Sequence, residues 1–272
     1  MTRKVLVAAC MFYMLVHGAT ALADPPMPLD RVSLWLGGFY PTIDARVSAD
    51  GPDSTGTIVD FRRDLGLDRH RVLANARMDF LVFDNQGFSL GGYRYSRDAS
   101  TTLARDIHFA GIDYKTDASV AARLTLQTFD ASWHWWFSPS LHDVIGLGLG
   151  VAYYDLRGTI NGDVSVNGDS AAGRGEVDAS AFAPLLTIGW KHAFSDRFRL
   201  FANVSGVRKN GGQVSGHLLN ARLGVEYFPW QDIGLALEYD SSDLTLHADK
   251  ASWQGQGRIR FRGPAAFVRV RL

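Results

Sequence analysis

The sequence predicts an all-β fold, a ten-stranded antiparallel transmembrane β-barrel of the outer-membrane type with short periplasmic turns and long extracellular loops. Three observations carry that prediction. Apolar and polar residues alternate with period two through most of the chain, the links between alternating segments are short at one end and mostly long and polar at the other, and aromatic residues gather at both ends. A soluble sandwich would also alternate, so the connections and the aromatic belts decide between the two.

The chain divides at its start. Met1 to Ala23 reads as a secretory signal: Arg3 and Lys4 are its basic end, Val5 to Val16 its apolar stretch and Ala21-Leu22-Ala23 the small-residue cleavage site. Residues 24–30 then form a short periplasmic segment and residues 31–272 the barrel. Val7-Ala-Ala-Cys10 has the look of a lipidation site, but the apolar run before that cysteine is too short for a working signal. With Cys10 removed, the mature chain can form no disulfide and no thiolate metal site. Lys plus Arg and Asp plus Glu each total 28, and this balance gives no electrostatic case for nucleic-acid binding.

After residue 23 no window approaches the ~18 apolar residues of a spanning helix. Strands are expected near 31–47, 70–82, 87–98, 119–137, 143–158, 177–194, 197–208, 214–228, 232–242 and 257–272. In the ninth, Ile233, Leu235, Leu237 and Tyr239 share one face and Gly234, Ala236, Glu238 and Asp240 the other. The links after even-numbered strands are short, such as Ser195-Asp196 and Pro229-Trp-Gln231, whereas Ser48 to Arg69 and Gly158 to Glu176 are long and polar. The expected belts are Trp133, Trp135, Trp136, Phe137, Phe194, Phe198, Tyr227, Phe228 and Trp230 at the short-turn end, and Tyr40, Tyr93, Tyr95, Tyr153, Tyr154 and Tyr239 at the other. Two strands exceed the ~9–11 residues needed to cross, so the wall is expected to rise above the membrane. Pro184 argues against regular pairing at the top of the sixth strand.

If the apolar faces meet lipid, the polar faces meet one another inside. The inward set is then Arg77, Lys191, Arg199, Arg222, Arg269 and Arg271 against Asp79, Asp130, Glu226, Glu238 and Asp240. Such near balance points to an internal ion-pair network, because a lone buried charge is costly. A tight hairpin around Trp230 would set Arg222 opposite Glu238 and Asn220 opposite Asp240, with Arg269 and Arg271 reaching toward Glu226. The network is compatible with a structural plug or with a narrow polar conduit.

No constellation supports catalysis, a cofactor or a metal. Asp130, Ser132 and His134 share a face, but residues two apart on a strand are ~6.6 Å apart, too far for a hydrolytic triad. His217 or His247 with Asp240 or Asp243 is the only set resembling that of outer-membrane proteases. Asn161-Gly-Asp163, repeated as Asn167-Gly-Asp169, resembles a calcium loop only loosely, and turn formation explains it as well.

One stretch, Val59-Asp60-Phe61-Arg-Arg-Asp64-Leu65-Gly-Leu67-Asp68, resembles a group of uncharacterised proteobacterial outer-membrane β-barrel proteins with a V-D-F-x-x-D-L-G-L-D motif in the first extracellular loop. The resemblance implies barrel architecture and a Gram-negative outer-membrane location, and it carries no catalytic residues. In one reading Phe61, Leu65 and Leu67 dip the loop over the barrel mouth while Asp60, Asp64 and Asp68 face arginines such as Arg97 and Arg105; a short strand extension and turn is the other. A structural or surface-interaction role is expected, with a narrow solute channel second and an outer-membrane enzyme third. Expected partners are outer-membrane lipids, lipopolysaccharide phosphates at Arg97, Arg105 and Arg123, and the barrel-assembly machinery through the closing strand, with the protein a monomer.

Overall fold

The computed structural model describes residues 27–50, 56–66, 72–166, 169–250 and 253–272. The expected signal, with Ala21 and Ala23, and the motif residues Leu67 and Asp68 lie outside the described residues. Among the described residues fourteen strands follow in chain order: β1 Val32–Phe39, β2 Thr42–Asp50, β3 Val59–Asp60, β4 Leu73–Phe83, β5 Gln86–Thr102, β6 Ile107–Phe109, β7 Ile112–Tyr114, β8 Ser119–Phe137, β9 Asp143–Val166, β10 Asp169–Ala193, β11 Phe198–Lys209, β12 Val214–Tyr227, β13 Ile233–Lys250 and β14 Trp253–Arg271.

Ten of these close a ring. The order β1-β4-β5-β8-β9-β10-β11-β12-β13-β14 is antiparallel throughout, and β1 pairs with β14 to complete it. The first wall strand is broken at Tyr40-Pro41, because proline offers no N–H to the ladder; β1 lies along Ala265–Arg271 and β2 along Gln254–Arg262 of β14. Tyr40 N–H still donates to the Pro264 carbonyl at 2.9 Å, so the wall does not gap there. Pro184 does the same job elsewhere: pairing of β10 with β11 stops at Leu185, one residue short of it.

Several expectations need correction. Gly158 to Glu176 is no loop; β9 and β10 run as a paired hairpin to Val166 and Asp169, because Ile160, Gly175 and Val177 keep the inward parity and the backbone simply continues. Asn161-Gly-Asp163 is therefore strand, opposite Arg174-Gly-Ala172, and Asn167 lies outside the described residues. The hairpin register at β12–β13 also differs by two. Arg222 stands opposite Asp240 and Asn220 opposite Ser242.

The alternation changes meaning partway up. On β13 the lower outward residues Ile233, Leu235, Leu237 and Tyr239 are apolar, and above them the outward positions are Ser241, Asp243, Thr245 and His247. The inward face does the opposite, from Glu238, Asp240 and Ser242 to Leu244, Leu246 and Ala248. β8, β10 and β14 exchange faces at the same level: Phe129 gives way outward to Gln127 and Arg123, Phe182 to Ser180 and Asp178, and Pro264 to Arg262 and Arg260. Lipid-facing wall below and water-facing wall above would produce this pattern with no break in the strands.

Candidate functional site

The lumen has two storeys. At its floor Asp30, from the segment before β1, accepts both oxygens' hydrogen bonds from Arg199 Nη1 at 2.9 Å and another from Arg269. Arg269, 1% exposed, also binds Glu226, and its guanidinium lies over the Trp35 ring at 4.4 Å. Gly234, directly opposite Arg269, leaves this space open: a Cβ there would meet the Phe228 ring at 2.6 Å. Arg271 lies over Phe228 at 3.9 Å and donates to the Gln231 and Asp196 carbonyls; its nearest carboxylate is Asp30 at 3.8 Å, not Glu226 as the register had suggested.

Above the floor, Arg77 pairs with Glu238 and stacks over Phe267 at 4.3 Å. Asp79 accepts from Ser89 Oγ at 2.6 Å, Trp35 Nε1 at 3.1 Å and Ser33 Oγ at 3.4 Å. Arg222 and Asp240, Cα partners, line a cavity of about 70 Å³ together with Asp130 and Asn75, and this adjoins one of about 100 Å³ lined by Ser132, His134, Lys191 and Asn203. Each is large enough to hold several waters. The sequence missed Asp30, the sixth anion, because it precedes the first alternating residue.

Ser132 and His134 are closer than strand spacing suggested. Ser132 Oγ and His134 Nε2 lie 2.8 Å apart, since both side chains lean into the room left by β9, where a Cβ at Gly148 would sit 2.8 Å from the His134 ring. His134 stacks on Trp136 at 5.6 Å. Its Nδ1 is buried without a partner among the described residues, so no carboxylate orients the imidazole as a nucleophile's base requires. The other candidate set is split by the wall: Asp240 faces the lumen, while His217, His247 and Asp243 face outward and Asp243 is held by Arg258 and Arg260 at 2.7 and 3.0 Å. Among the described residues no group of three or more His, Cys, Asp or Glu could hold a metal ion.

The upper storey is apolar and packed, with one small cavity of about 20 Å³ among the described residues, between Tyr154, Val207 and Leu246. The first-loop motif folds into a single capped turn: Asp60 Oδ1 accepts from Arg62 and Arg63 N–H at 3.2 and 3.1 Å, Asp64 N–H donates to the Asp60 carbonyl at 2.8 Å, and Gly66 ends the turn at φ +69°. Phe61 and Leu65, four apart, share one face of that turn and are 1% and 0% exposed. The second loop adds the hairpin β6–β7, whose turn places Ala110 and Gly111 at φ 53° and 79°, the hairpin geometry that matches strand twist. Ala110 N–H is tied to the Ala49 carbonyl at 3.1 Å, and Tyr114 Oη donates to the Ile160 carbonyl at 2.7 Å. Leu103, Ile107, Phe109 and Tyr114 are all 1% exposed or less.

A charged latch joins the two loops. Arg105 donates to Asp64 at 2.6 and 3.2 Å and to the Ile58 carbonyl at 2.9 Å. Burial pushes the Asp64 carboxyl up, but hydrogen bonds from Arg105, Arg63 and the Asp60 N–H outweigh it and hold it well below the ordinary carboxylate range. Asp60 faces Arg46 at 3.2 Å, whereas Arg97 falls on the inward series of β5, opposite the buried Leu124. Five residues expected in the aromatic belts lie inside instead: Trp136, Tyr93, Tyr95 and Tyr154, because each has the inward parity of its strand, and Phe228, which continues the inward series of β12 one residue past its end.

No family model matches the chain, and no curated protein matches it. Among solved structures it is similar to the outer membrane protease OmpT of Escherichia coli, with a TM-score of 0.56 at 9% identity, covering 93% of this chain and 99% of that one. Weaker likenesses include the translocator domain of the autotransporter NalP from Neisseria meningitidis, with a TM-score of 0.41, 9% identity and coverages of 97% and 95%. A Pseudomonas aeruginosa FadL homologue gives 0.36, 12%, 91% and 92%. The fold is that of an outer-membrane β-barrel.

Proposed function

We propose that the protein is an integral outer-membrane barrel of a Gram-negative bacterium whose lumen is shut, acting as a structural and surface-interaction component of the envelope. The observation that carries this reading is the apolar plug: among the described residues Phe61, Leu65, Phe109 and Tyr114 fill the barrel above the polar lower cavities. The water-facing upper wall, with Arg174, Glu176 and Asp178 on its outer face, supplies surface for contact with other envelope components. The protein acts as a monomer, reaches the membrane through the barrel-assembly machinery by its closing strand β14, and meets lipopolysaccharide at the outer boundary.

A narrow solute channel is the second reading, favoured by the adjoining polar cavities between Asp30 and Ser242. Planar-bilayer conductance of the refolded mature chain separates the two. Wild type and Arg222→Ala should both stay at leak level, and discrete ion-selective openings from wild type would overturn the shut-lumen reading in favour of the channel.

A further inference from the structure

The outer wall carries a trough that the lumen does not explain. Across four adjacent strands one row of outward residues reads Leu36, Ala76, Gly92 and Phe129: bulky, small, bare, bulky. With Ala74 above Ala76 this shapes a groove of about 590 Å³ between Leu36 and Phe129, both half exposed. Three strand spacings separate its sides, roughly 14 Å, enough for acyl chains but for little else in hydrocarbon.

The height of the trough matters. Phe129 pairs with Tyr153, whose ring lies 4.7 Å from Phe182, and these mark the upper edge of the apolar band. Two residues above Gly92, on the same outward face, stands Arg94, exposed, opposite Gln127. The nearby outward carboxylates are already engaged, Asp98 by Arg123 and Asp155 by Arg157 at 3.1 Å, and among the described residues Arg94 enters no ion pair. An uncompensated guanidinium at the head of an apolar groove, level with the outer interface, complements one class of molecule: a lipid with a phosphate at that depth.

We propose that this trough binds one phosphorylated glycolipid of the outer leaflet, with an acyl chain against Ala74, Ala76 and Gly92 and its phosphate on Arg94. The proposal rests on the outer-membrane reading above. It assigns the headgroup to Arg94 in place of Arg105 and Arg123, which are held by Asp64 and Asp98.

The test uses the mature chain folded in detergent, with purified diphosphoryl lipid A as the probe and native mass spectrometry as the readout. Wild type should retain one lipid A, and Arg94→Gln should weaken retention about tenfold, the scale of a lost charged hydrogen bond. Ala76→Leu, which fills the trough on the lipid side, should weaken it likewise, whereas Arg123→Gln should match wild type. Heat-modifiable gel migration reports folding of every variant. Equal retention by wild type and Arg94→Gln, or equal retention of dephosphorylated lipid A or phosphatidylglycerol by wild type, overturns the site alone. A wild-type chain that folds only without detergent or lipid overturns the outer-membrane reading and the site with it.

Discussion

The lower and upper storeys of this barrel are built from the same strands yet hold together by opposite means. Below, the outside must be apolar, so most polar side chains turn inward and charges meet there: Asp30, Arg199, Arg269 and Glu226 in one cluster, Arg77 and Glu238 in another. Above, the outside is wet, and the inside reverts to the packed apolar core of a soluble barrel, completed by two loops rather than by wall strands. The difference teaches that charge in the lower lumen is a consequence of the lipid outside it. The two storeys should therefore fail differently.

The sharpest break is to strand a charge below. Glu226→Leu leaves Arg269, 1% exposed, sharing Asp30 with Arg199, and should cost about 3–5 kcal/mol of barrel stability in urea unfolding from lipid vesicles. Adding Arg269→Met should recover most of that loss, since what is expensive is the surplus buried cation. If the double variant is as unstable as the single, the charge-matching account of the lower storey fails.

Above, the matching experiment removes packing. Phe61→Ala should cost about 3 kcal/mol, but of plug docking rather than of barrel stability, because Phe61 belongs to a capped turn that the wall strands do not contain. Protease should then cut within residues 56–66 while heat-modifiable migration of the barrel stays unchanged. A fall in whole-barrel unfolding instead would mean that the two storeys are one cooperative unit.

Much of this was legible in the sequence, and the reason for the rest is physical. Strand number, the closing pair β1–β14 and the inward arginines follow from period-two alternation, which any two-faced wall enforces. What the alternation hides is which face is which. Val120, Ala122, Leu124 and Leu126 are apolar at even positions, and Phe129, Ala131, Trp133 and Trp135 at odd ones, on a single strand without a bulge. That exchange of parity is the signature of wall leaving the membrane; Trp136 and Tyr154 lie inside simply because they continue the inward series of their strands. The β12–β13 register could not be read to better than two residues, because Gly224 and Arg222 share the same parity and only the turn geometry distinguishes them.

The latch between the loops gives a pH-dependent version of the comparison. Asp64 is held below its ordinary carboxylate value in the folded plug, so its contribution is complete above about pH 4, the value of the free group, and fades as pH falls through the lower folded value. Amide exchange in β6–β7 should accordingly be flat from neutral pH to about 5 after correction for intrinsic rates and should quicken below about 4. Asp64→Asn should abolish that acid limb and loosen the plug by about 1–2 kcal/mol at neutral pH. An acid limb that survives the substitution would assign it to other carboxylates.

The smallest effect belongs to the pair that looks most like those in the lumen. Arg123 and Asp98 form an ion pair between neighbouring strands, as Arg77 and Glu238 do across the lumen, but both side chains are about two-thirds exposed whereas Glu238 is wholly buried. In water the desolvation that makes a stranded lumen ion costly is absent, and salt screens what attraction remains. Arg123→Gln should therefore leave barrel stability within error of wild type, with any difference vanishing in high salt. A loss comparable to that of Glu226→Leu would mean that the upper wall is held by its surface charges after all, and the contrast between a charge-matched lower storey and a packed upper one would collapse.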